Sequence, residues 1–178
     1  MLKRGFAAFY LNRCNRSGII MNGGPIGGME QTGEWKINAR YNKASLLDRC
    51  AKIGEYADRI KVSGMDGIEF IEQVNTKDTF MFIDPPYYHK GPLLYLNSLD
   101  EEYHKALAAK LQALPDNAAW VLTYDDCPEI RRLYRGWAAV RSFTLRYTAH
   151  ARKKGREVLI APRWMVLPSN QKSLAIEW

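Results

Sequence analysis

The sequence predicts an α/β fold in which strands and helices alternate along one chain. Residues 80–83 and 119–124 are short, almost entirely apolar runs, which are typical of strands buried inside a sheet. Between them, residues 99–113 carry apolar side chains at helical spacing and end before Pro115. Because 47% of the 178 residues are hydrophobic, the chain can form a globular core.

Each further element follows from the same periodicities and from cap or turn residues at its ends. Asn42 or Ser45 can cap the second helix, and Ser98 or Asp100 can cap the helix that precedes Pro115. In chain order we expect a helix at 3–15, a helix at 43–56, a strand at 59–63, a short helix at 67–74, a strand at 79–83, a helix at 99–113, a strand at 119–124, a short helix at 129–134, and a hairpin of residues 139–147 and 157–161 across the basic turn 150–155.

Residues 17–42 differ from the rest of the chain in composition. They hold six of the thirteen glycines together with Pro25, which indicates loops and turns and not a regular element. We expect a loop-rich insertion with one short extended piece around residues 35–37.

Asp84 is the first candidate functional residue because it directly follows the apolar run 80–83. Pro85 and Pro86 cannot donate ladder hydrogen bonds, and Pro85 forces Asp84 towards an extended conformation, so the strand must end there. In open α/β sheets, ligands bind outside the carboxyl ends of the strands. Asp84 and the following Tyr87 are therefore predicted to lie where ligands bind.

Charge and cysteine content narrow the class of protein. Lys and Arg number 26 against 19 Asp and Glu, giving a net charge of +7 and a pI near 9.3, which favours an anionic partner such as nucleic acid. Three cysteines without C-x-x-C spacing support neither a disulfide framework nor a zinc site, and a reducing cytoplasm fits best. The three histidines lie far apart in sequence, so we expect no metal. The amino-terminal apolar stretch is too short for a signal peptide or a membrane span.

Several motifs together point to one family. D-P-P-Y occupies residues 84–87 at the end of a predicted strand. The flanking motifs are F-Y-L-N-R-C-N-R-S-G-I-I at 9–20, G-G-P-I-G-G at 23–28, A-R-Y-N-K at 39–43, Y-Y-H-K-G-P-L-L-Y at 87–95 and G-R-E-V-L-I-A-P at 155–162. With these motifs the chain resembles the Dam-type, alpha-group adenine-specific DNA methyltransferases, especially their phage and prophage relatives.

The resemblance implies a reaction and roles for the motif residues. S-adenosylmethionine would be the methyl donor, and the acceptor would be the amino group of an adenine flipped out of double-stranded DNA. The Asp84 carboxylate and a backbone carbonyl of Pro85 or Pro86 would each accept one amino hydrogen, which directs the nitrogen lone pair at the methyl group. Tyr87 would stack on the base. This chemistry needs no metal.

Weaker candidates lie outside the motif. Asp66, in S-G-M-D-G, stands where such enzymes place an acid near the cofactor, although a surface turn Asp beside Gly is almost equally favoured. Candidate contacts to phosphates or base edges are the polar and basic residues in and around the insertion, namely Asn12, Arg13, Arg16, Lys36 and Arg40. Each alone is more often a solvated charge, and their clustering favours DNA contact.

One expected part of the family pattern is absent. A strand, a glycine-rich cofactor loop and a ribose-binding acid should precede the recognition segment, and residues 23–28 do not replace them because no helix is predicted to follow. We therefore expect a Rossmann-like S-adenosylmethionine-dependent methyltransferase fold, incomplete at the amino end. Residues 1–178 would form a single partial domain with 17–42 as a target-recognition insertion.

Three functional readings remain open from sequence alone. The first is an adenine-specific DNA methyltransferase of a restriction-modification or phage system, completed by a separate amino-terminal segment or by self-association. The second is a non-catalytic DNA-binding remnant that no longer binds the cofactor. The third, methylation of RNA or protein, is less favoured because the flanking motifs match the DNA family.

Overall fold

The computed structural model describes residues 2–74, 76–89, 99–147 and 153–167, which form two compact units, Met1–Gly64 and Met65–Trp178. The helices of the first unit, unit 1, are α1 (Leu2–Cys14) and α2 (Lys43–Gly54). Those of unit 2 are α3 (Gly67–Val74), α4 (Glu101–Gln112) and α5 (Pro128–Tyr134). The strands of unit 2 are β1 (Phe80–Ile83), β2 (Ala119–Asp125), β3 (Ala138–Tyr147) and β4 (Lys153–Pro162).

The expected helices of unit 1 are confirmed, and one of the two proposed caps closes α2. The Asn42 side chain accepts a hydrogen bond from the Ser45 backbone N–H at 3.2 Å, so Asn42 caps this helix and Ser45 lies in its first turn. Short 3₁₀ turns occupy Arg16–Gly18 and Ala57–Arg59.

The glycine-rich insertion folds back on itself through the side chain of Gln31. Its Nε2 donates to the carbonyls of Ile26 and Gly28, and its Oε1 accepts from the Ile37 backbone N–H at 2.8 Å. Gly27 has a φ of +91°, and a Cβ there would lie 2.7 Å from the carbonyl oxygen of Trp35. This close approach explains the glycine at position 27.

Two expected extended segments of unit 1 are wrong. Residues 35–37 form bends and turns, because the Ile37 N–H bonds to a side chain and not to a neighbouring strand. Residues 59–63 form no strand either: Ile60 N donates to Ala57 O at the end of a 3₁₀ turn, and residues 61–63 join no sheet in the part of the chain that the structure describes. A strand propensity without a partner strand does not produce a strand.

The α/β class is confirmed in unit 2. The four strands form one sheet in the order β1-β2-β4-β3, and β1 runs parallel to β2 while β4 is antiparallel to both β2 and β3. Asp100 caps α4 by accepting from Tyr103 N at 2.8 Å, and Pro128 occupies the first turn of α5, where its missing N–H costs nothing. Residues 150–152 of the predicted basic turn lie outside the described residues, whereas residues 153–155 belong to β4 and not to a turn.

The core of unit 2 lies between the sheet and its helices. Side chains of β2 and β4 that are fully buried, such as Leu122, Tyr124 and Ile160, pack with Ile130 of α5 and Leu107 of α4. No helix in the described residues has the length and apolarity needed to cross a membrane.

Strand β1 is buried on one face only. Met81 is 7% exposed and belongs to the core, whereas Phe80 and Phe82 on the opposite face are 59% and 66% exposed. The expectation of a strand buried on both faces is therefore wrong for the described residues, where β1 is also an edge of the sheet. Two large aromatic side chains on an edge strand form a surface suited to further pairing.

Candidate active site

Three acids of unit 2 meet at one edge of its sheet. Asp84 follows β1, Asp125 ends β2, and these parallel strands place their carboxyl ends together. Glu157, in the middle of the antiparallel β4, pairs directly with Asp125. Asp84 is exposed, whereas Asp125 and Glu157 are 6% and 2% exposed. The edge therefore combines one accessible carboxylate with two buried ones.

Asp84 is oriented by a hydroxyl from the neighbouring strand. Thr123 of β2, which is 8% exposed, donates from Oγ1 to Asp84 Oδ1 at 2.6 Å. No described residue forms a hydrogen bond with Asp84 Oδ2. One oxygen of this exposed carboxylate is thus held by the protein, and the other keeps its acceptor capacity with respect to the described residues.

Tyr87 is fixed by both its hydroxyl and its ring. The hydroxyl donates to Glu157 Oε2 at 2.9 Å, and the ring lies 6.4 Å from that of Tyr124 at an interplanar angle of 51°. Pro85, Pro86 and Tyr87 are all half-buried, so the motif leaves the strand as a supported segment. The Tyr87 ring has a defined position at the sheet edge.

The segment after Tyr87 is held by the second acid. Asp125 Oδ1 accepts from Tyr88 N at 3.1 Å, and Asp125 Oδ2 accepts from His89 N at 3.3 Å. A buried carboxylate that accepts two backbone N–H bonds fixes the direction of the chain at that point. Asp125 therefore acts on the motif segment through its backbone.

Asp66 has a structural role in the described residues. Its Oδ1 accepts from Ile68 N and Glu69 N at the start of α3, and its Oδ2 accepts from the Tyr103 hydroxyl at 3.0 Å. Burial acts to raise the pKa of Asp66, but the hydrogen bonds from Ile68, Tyr103 and the neighbouring amides outweigh it and lower the pKa. Asp66 is ionised at neutral pH.

The motif at residues 84–87 thus combines an exposed acid at the end of a strand, two prolines and a positioned tyrosine. The family model of the D12 class N6 adenine-specific DNA methyltransferases matches residues 7–152. The chain belongs to this family. A comparison with curated proteins gave no match.

Members of the D12 class use S-adenosylmethionine as methyl donor, and family membership implies the corresponding methyltransferase fold. The acidic sheet edge suits the positive sulfonium of this donor. An open apolar groove in unit 1, lined by Cys50, Ile53, Gly54, Ala57 and Ile60, has no carboxylate for the ribose or ammonium groups. The lining of this groove therefore does not fit the polar groups of the donor, whereas the acidic sheet edge suits its positive charge.

The candidate DNA-binding residues of this methyltransferase lie in unit 1, and most of them also stabilise its loops. Arg40 donates from its guanidinium to the carbonyls of Asn12, Arg13 and Asn15, and Arg13 donates in return to the Arg40 carbonyl. Lys36 donates to the carbonyls of Gln31 and Gly33.

These hydrogen bonds bring three of the five candidates, Asn12, Arg13 and Arg40, together. Asn12 donates to Gly18 O at 3.2 Å, whereas Arg16 forms no side-chain hydrogen bond with the described residues. The partners of these basic side chains are neutral carbonyl oxygens and not carboxylates.

Sequence reasoning missed Thr123, Asp125 and Glu157. Each had a signal: Thr123 is a polar residue inside an apolar strand, and Asp125 follows that strand just as Asp84 follows its own. Glu157 lies within the matching motif at 155–162. Only the strand register shows which acid and which hydroxyl meet.

Proposed function

We propose that Asp84, Pro85, Pro86 and Tyr87 form the catalytic centre at which this chain methylates the amino group of adenine in double-stranded DNA. The observation that carries the proposal is the Thr123 hydrogen bond to Asp84 Oδ1, which leaves Oδ2 as an acceptor. A carboxylate held in one orientation can accept an amino hydrogen without first rearranging.

Each motif residue then has one task. Asp84 Oδ2 accepts one hydrogen of the adenine amino group, and a carbonyl of Pro85 or Pro86 accepts the other. Both bonds draw the nitrogen lone pair out of conjugation and direct it at the methyl group. When bound, the donor supplies an electrophilic methyl group on its sulfonium.

Tyr87 holds the flipped base by stacking. Its hydroxyl donates to Glu157, which fixes the position of the ring, and we infer that the base stacks on this fixed ring. Asp84 would also contact the donor near its methyl group. Asp66 is a second candidate for the donor, and any such contact adds to its role as the cap of α3.

Unit 1 would supply the DNA contacts, with residues 17–42 as the target-recognition insertion. Support comes from the side chains of Asn12, Arg13 and Arg40, which share one carbonyl-bonded cluster, and from the exposed Arg16. Phosphate contacts from such residues give affinity that falls as salt rises.

A further polypeptide segment, or a second copy of the chain, would pair with β1 and cover Phe80 and Phe82. Support comes from their exposure on a strand that forms a sheet edge among the described residues. On this basis the chain alone should self-associate. It should also bind S-adenosylmethionine weakly, because the expected glycine-rich cofactor loop is absent from its sequence. Light scattering of the chain and of a Phe82→Glu variant tests the pairing: the variant should be monomeric, and an unchanged mass would exclude β1 as the pairing surface.

A restriction-modification or phage system suits an adenine-specific enzyme with the quoted motifs. Three free cysteines favour the reducing cytoplasm. The alternative is a non-catalytic remnant, which would bind DNA and not the donor.

Methyl transfer from radiolabelled donor to unmethylated genomic DNA tests the reaction, with N6-methyladenine quantified after hydrolysis. Asp84→Ala should abolish transfer and leave DNA affinity within a few-fold, because Asp84 acts on the amino group and not on phosphates. Asp78→Ala is the matched control, since Asp78 is an exposed acid just before the same strand.

The outcomes separate the competing functions. Transfer by Asp84→Ala at the rate of the parent chain would exclude the proposed centre. Calorimetric titration tests the alternative of a non-catalytic DNA-binding remnant. This alternative is supported if the chain does not bind S-adenosylmethionine, either alone or with an added amino-terminal segment from another family member. The same methyl-transfer assay with RNA or protein in place of DNA tests whether the chain methylates one of these substrates.

A further inference from the structure

Three side chains that bind transition metals meet beside the motif segment. His89 follows Tyr88, while Cys127 and Glu129 flank Pro128 at the start of α5. One donor atom of each, an imidazole nitrogen, the thiol sulfur and a carboxylate oxygen, lie within 4.8 Å of one another. Potential metal ligands from two segments that are far apart in sequence thus lie close together in the fold.

The backbones of two of these residues are held by a single buried residue. Asp125 Oδ2 accepts from His89 N at 3.3 Å, and the Asp125 carbonyl accepts from Cys127 N at 3.0 Å. Glu129 follows two residues later, in the first turn of a helix whose Ile130 is fully buried. The fold therefore sets the positions of these three side chains before any metal ion binds.

The contact between His89 and Glu129 differs from an ordinary hydrogen bond. His89 Nε2 lies 3.4 Å from Glu129 Oε2, and that oxygen is buried without a hydrogen-bond partner among the described residues. Zinc bonds of about 2.0–2.3 Å in a tetrahedral site place neighbouring ligand atoms about 3.3–3.8 Å apart. The separation matches two ligands of one ion.

We propose that His89 Nε2, Cys127 Sγ and Glu129 Oε2 bind a zinc ion, with water in the fourth position. A thiolate with an imidazole selects zinc over magnesium or calcium, which prefer oxygen ligands only. The ion links the segment after Tyr87 to α5 and so stabilises the motif segment. Sequence spacing predicted no metal because it compares neighbours along the chain, whereas these ligands meet only in the fold.

The competing structure has no ion: His89 and Glu129 form an ion pair beside a buried thiol. Cobalt distinguishes the two, because Co²⁺ occupies zinc sites and gives a thiolate charge-transfer band and tetrahedral visible bands. The tag-free chain, stripped with a chelator, is titrated with Co²⁺ and then with Zn²⁺. One equivalent of Co²⁺ should produce both bands, and Zn²⁺ should remove them.

Variants assign the ligands. Cys127→Ser should lose the charge-transfer band, whereas Cys50→Ser, which alters an exposed thiol outside the cluster, should retain it. His89→Ala and Glu129→Gln should lower zinc affinity about 10-fold or more, at least the loss seen when only a supporting residue is removed. The His89 side chain is 59% exposed, so its removal does not depend on repacking the core.

The same measurements can overturn the proposal. Absence of a charge-transfer band in the parent chain excludes the site, as does an equal band in Cys127→Ser or its loss in Cys50→Ser. If Cys127→Ser does not fold, His89→Ala and Glu129→Gln decide, and unchanged zinc affinity in both excludes the site. At one zinc concentration, the Tm should rise more for the parent chain than for His89→Ala.

Discussion

Replacing Thr123 by Val tests whether the hydroxyl orients the catalytic acid. Valine has nearly the volume of threonine, so the change removes the 2.6 Å bond to Asp84 Oδ1 without opening a cavity. A hydrogen bond to a charged group is worth about 1.5–3 kcal/mol, and water can replace part of it because Asp84 is exposed. We take the loss as about 1–2 kcal/mol, which lowers the methylation rate about 5–30-fold.

The assay is single-turnover methyl transfer at saturating DNA and donor, in a preparation of the parent chain that is active. Thr123→Ser is the matched control, because it keeps the hydroxyl and removes only a methyl group. We expect Thr123→Val to lower the single-turnover rate constant with little change in the separately measured DNA affinity, and Thr123→Ser to retain most of the rate.

Two results would refute this reasoning. An unchanged rate in Thr123→Val would show that Asp84 is oriented without the hydroxyl. Equal loss in the Ser and Val variants, together with a lower Tm in both, would show that Thr123 acts only through packing.

Other residues give independent tests. Arg16→Ala should weaken DNA binding and reduce the salt slope by about 0.9 with unchanged unfolding, because its side chain makes no hydrogen bond with the described residues. Arg40→Ala should also destabilise unit 1, since three carbonyls lose their donor, and calorimetry would separate the two effects. Asp125→Asn should destabilise unit 2 by about 1 kcal/mol, measured by urea unfolding, because an amide oxygen replaces only one of the two acceptors for the part-buried N–H groups of Tyr88 and His89. Burial lowers the pKa of His104, against the opposing charges of Asp125 and Asp100, so stability should fall as pH drops below the ordinary value of about 6.5, and His104→Gln should remove this part of the slope.

Local features of the fold could be predicted from sequence because their causes are local. Asn42 and Asp100 cap helices through N–H groups three residues ahead, and Pro85 and Pro86 end β1 through their own geometry. The position of Asp84 at the sheet edge follows from the same proline rule. None of these features depends on a distant segment.

The missed features depend on pairs far apart in the chain. Thr123 reaches Asp84 only because β1 lies beside β2 in one register, and Arg40 reaches the carbonyls near Arg13 only after the insertion folds back. The expected strand at 59–63 failed for the converse reason, because its propensity found no partner strand among the described residues. The hydrophobic periodicity of a segment predicts its secondary structure, but it does not identify the segments that will pack beside it.

The three acids differ in exposure and in hydrogen bonding, and these differences favour Asp84 for the proposed reaction. Asp125 and Glu157 are buried, and their bonds to the Tyr88 and His89 backbones and to the Tyr87 hydroxyl give them a role in holding the motif segment. Asp84 is the acid at this edge that the structure leaves exposed, and it has one oxygen held by Thr123. A carboxylate that is fixed on one side and open on the other can meet a polar substrate without losing a bond to the protein. The buried acids therefore supply the rigidity that Asp84 needs for the proposed action on an amino group.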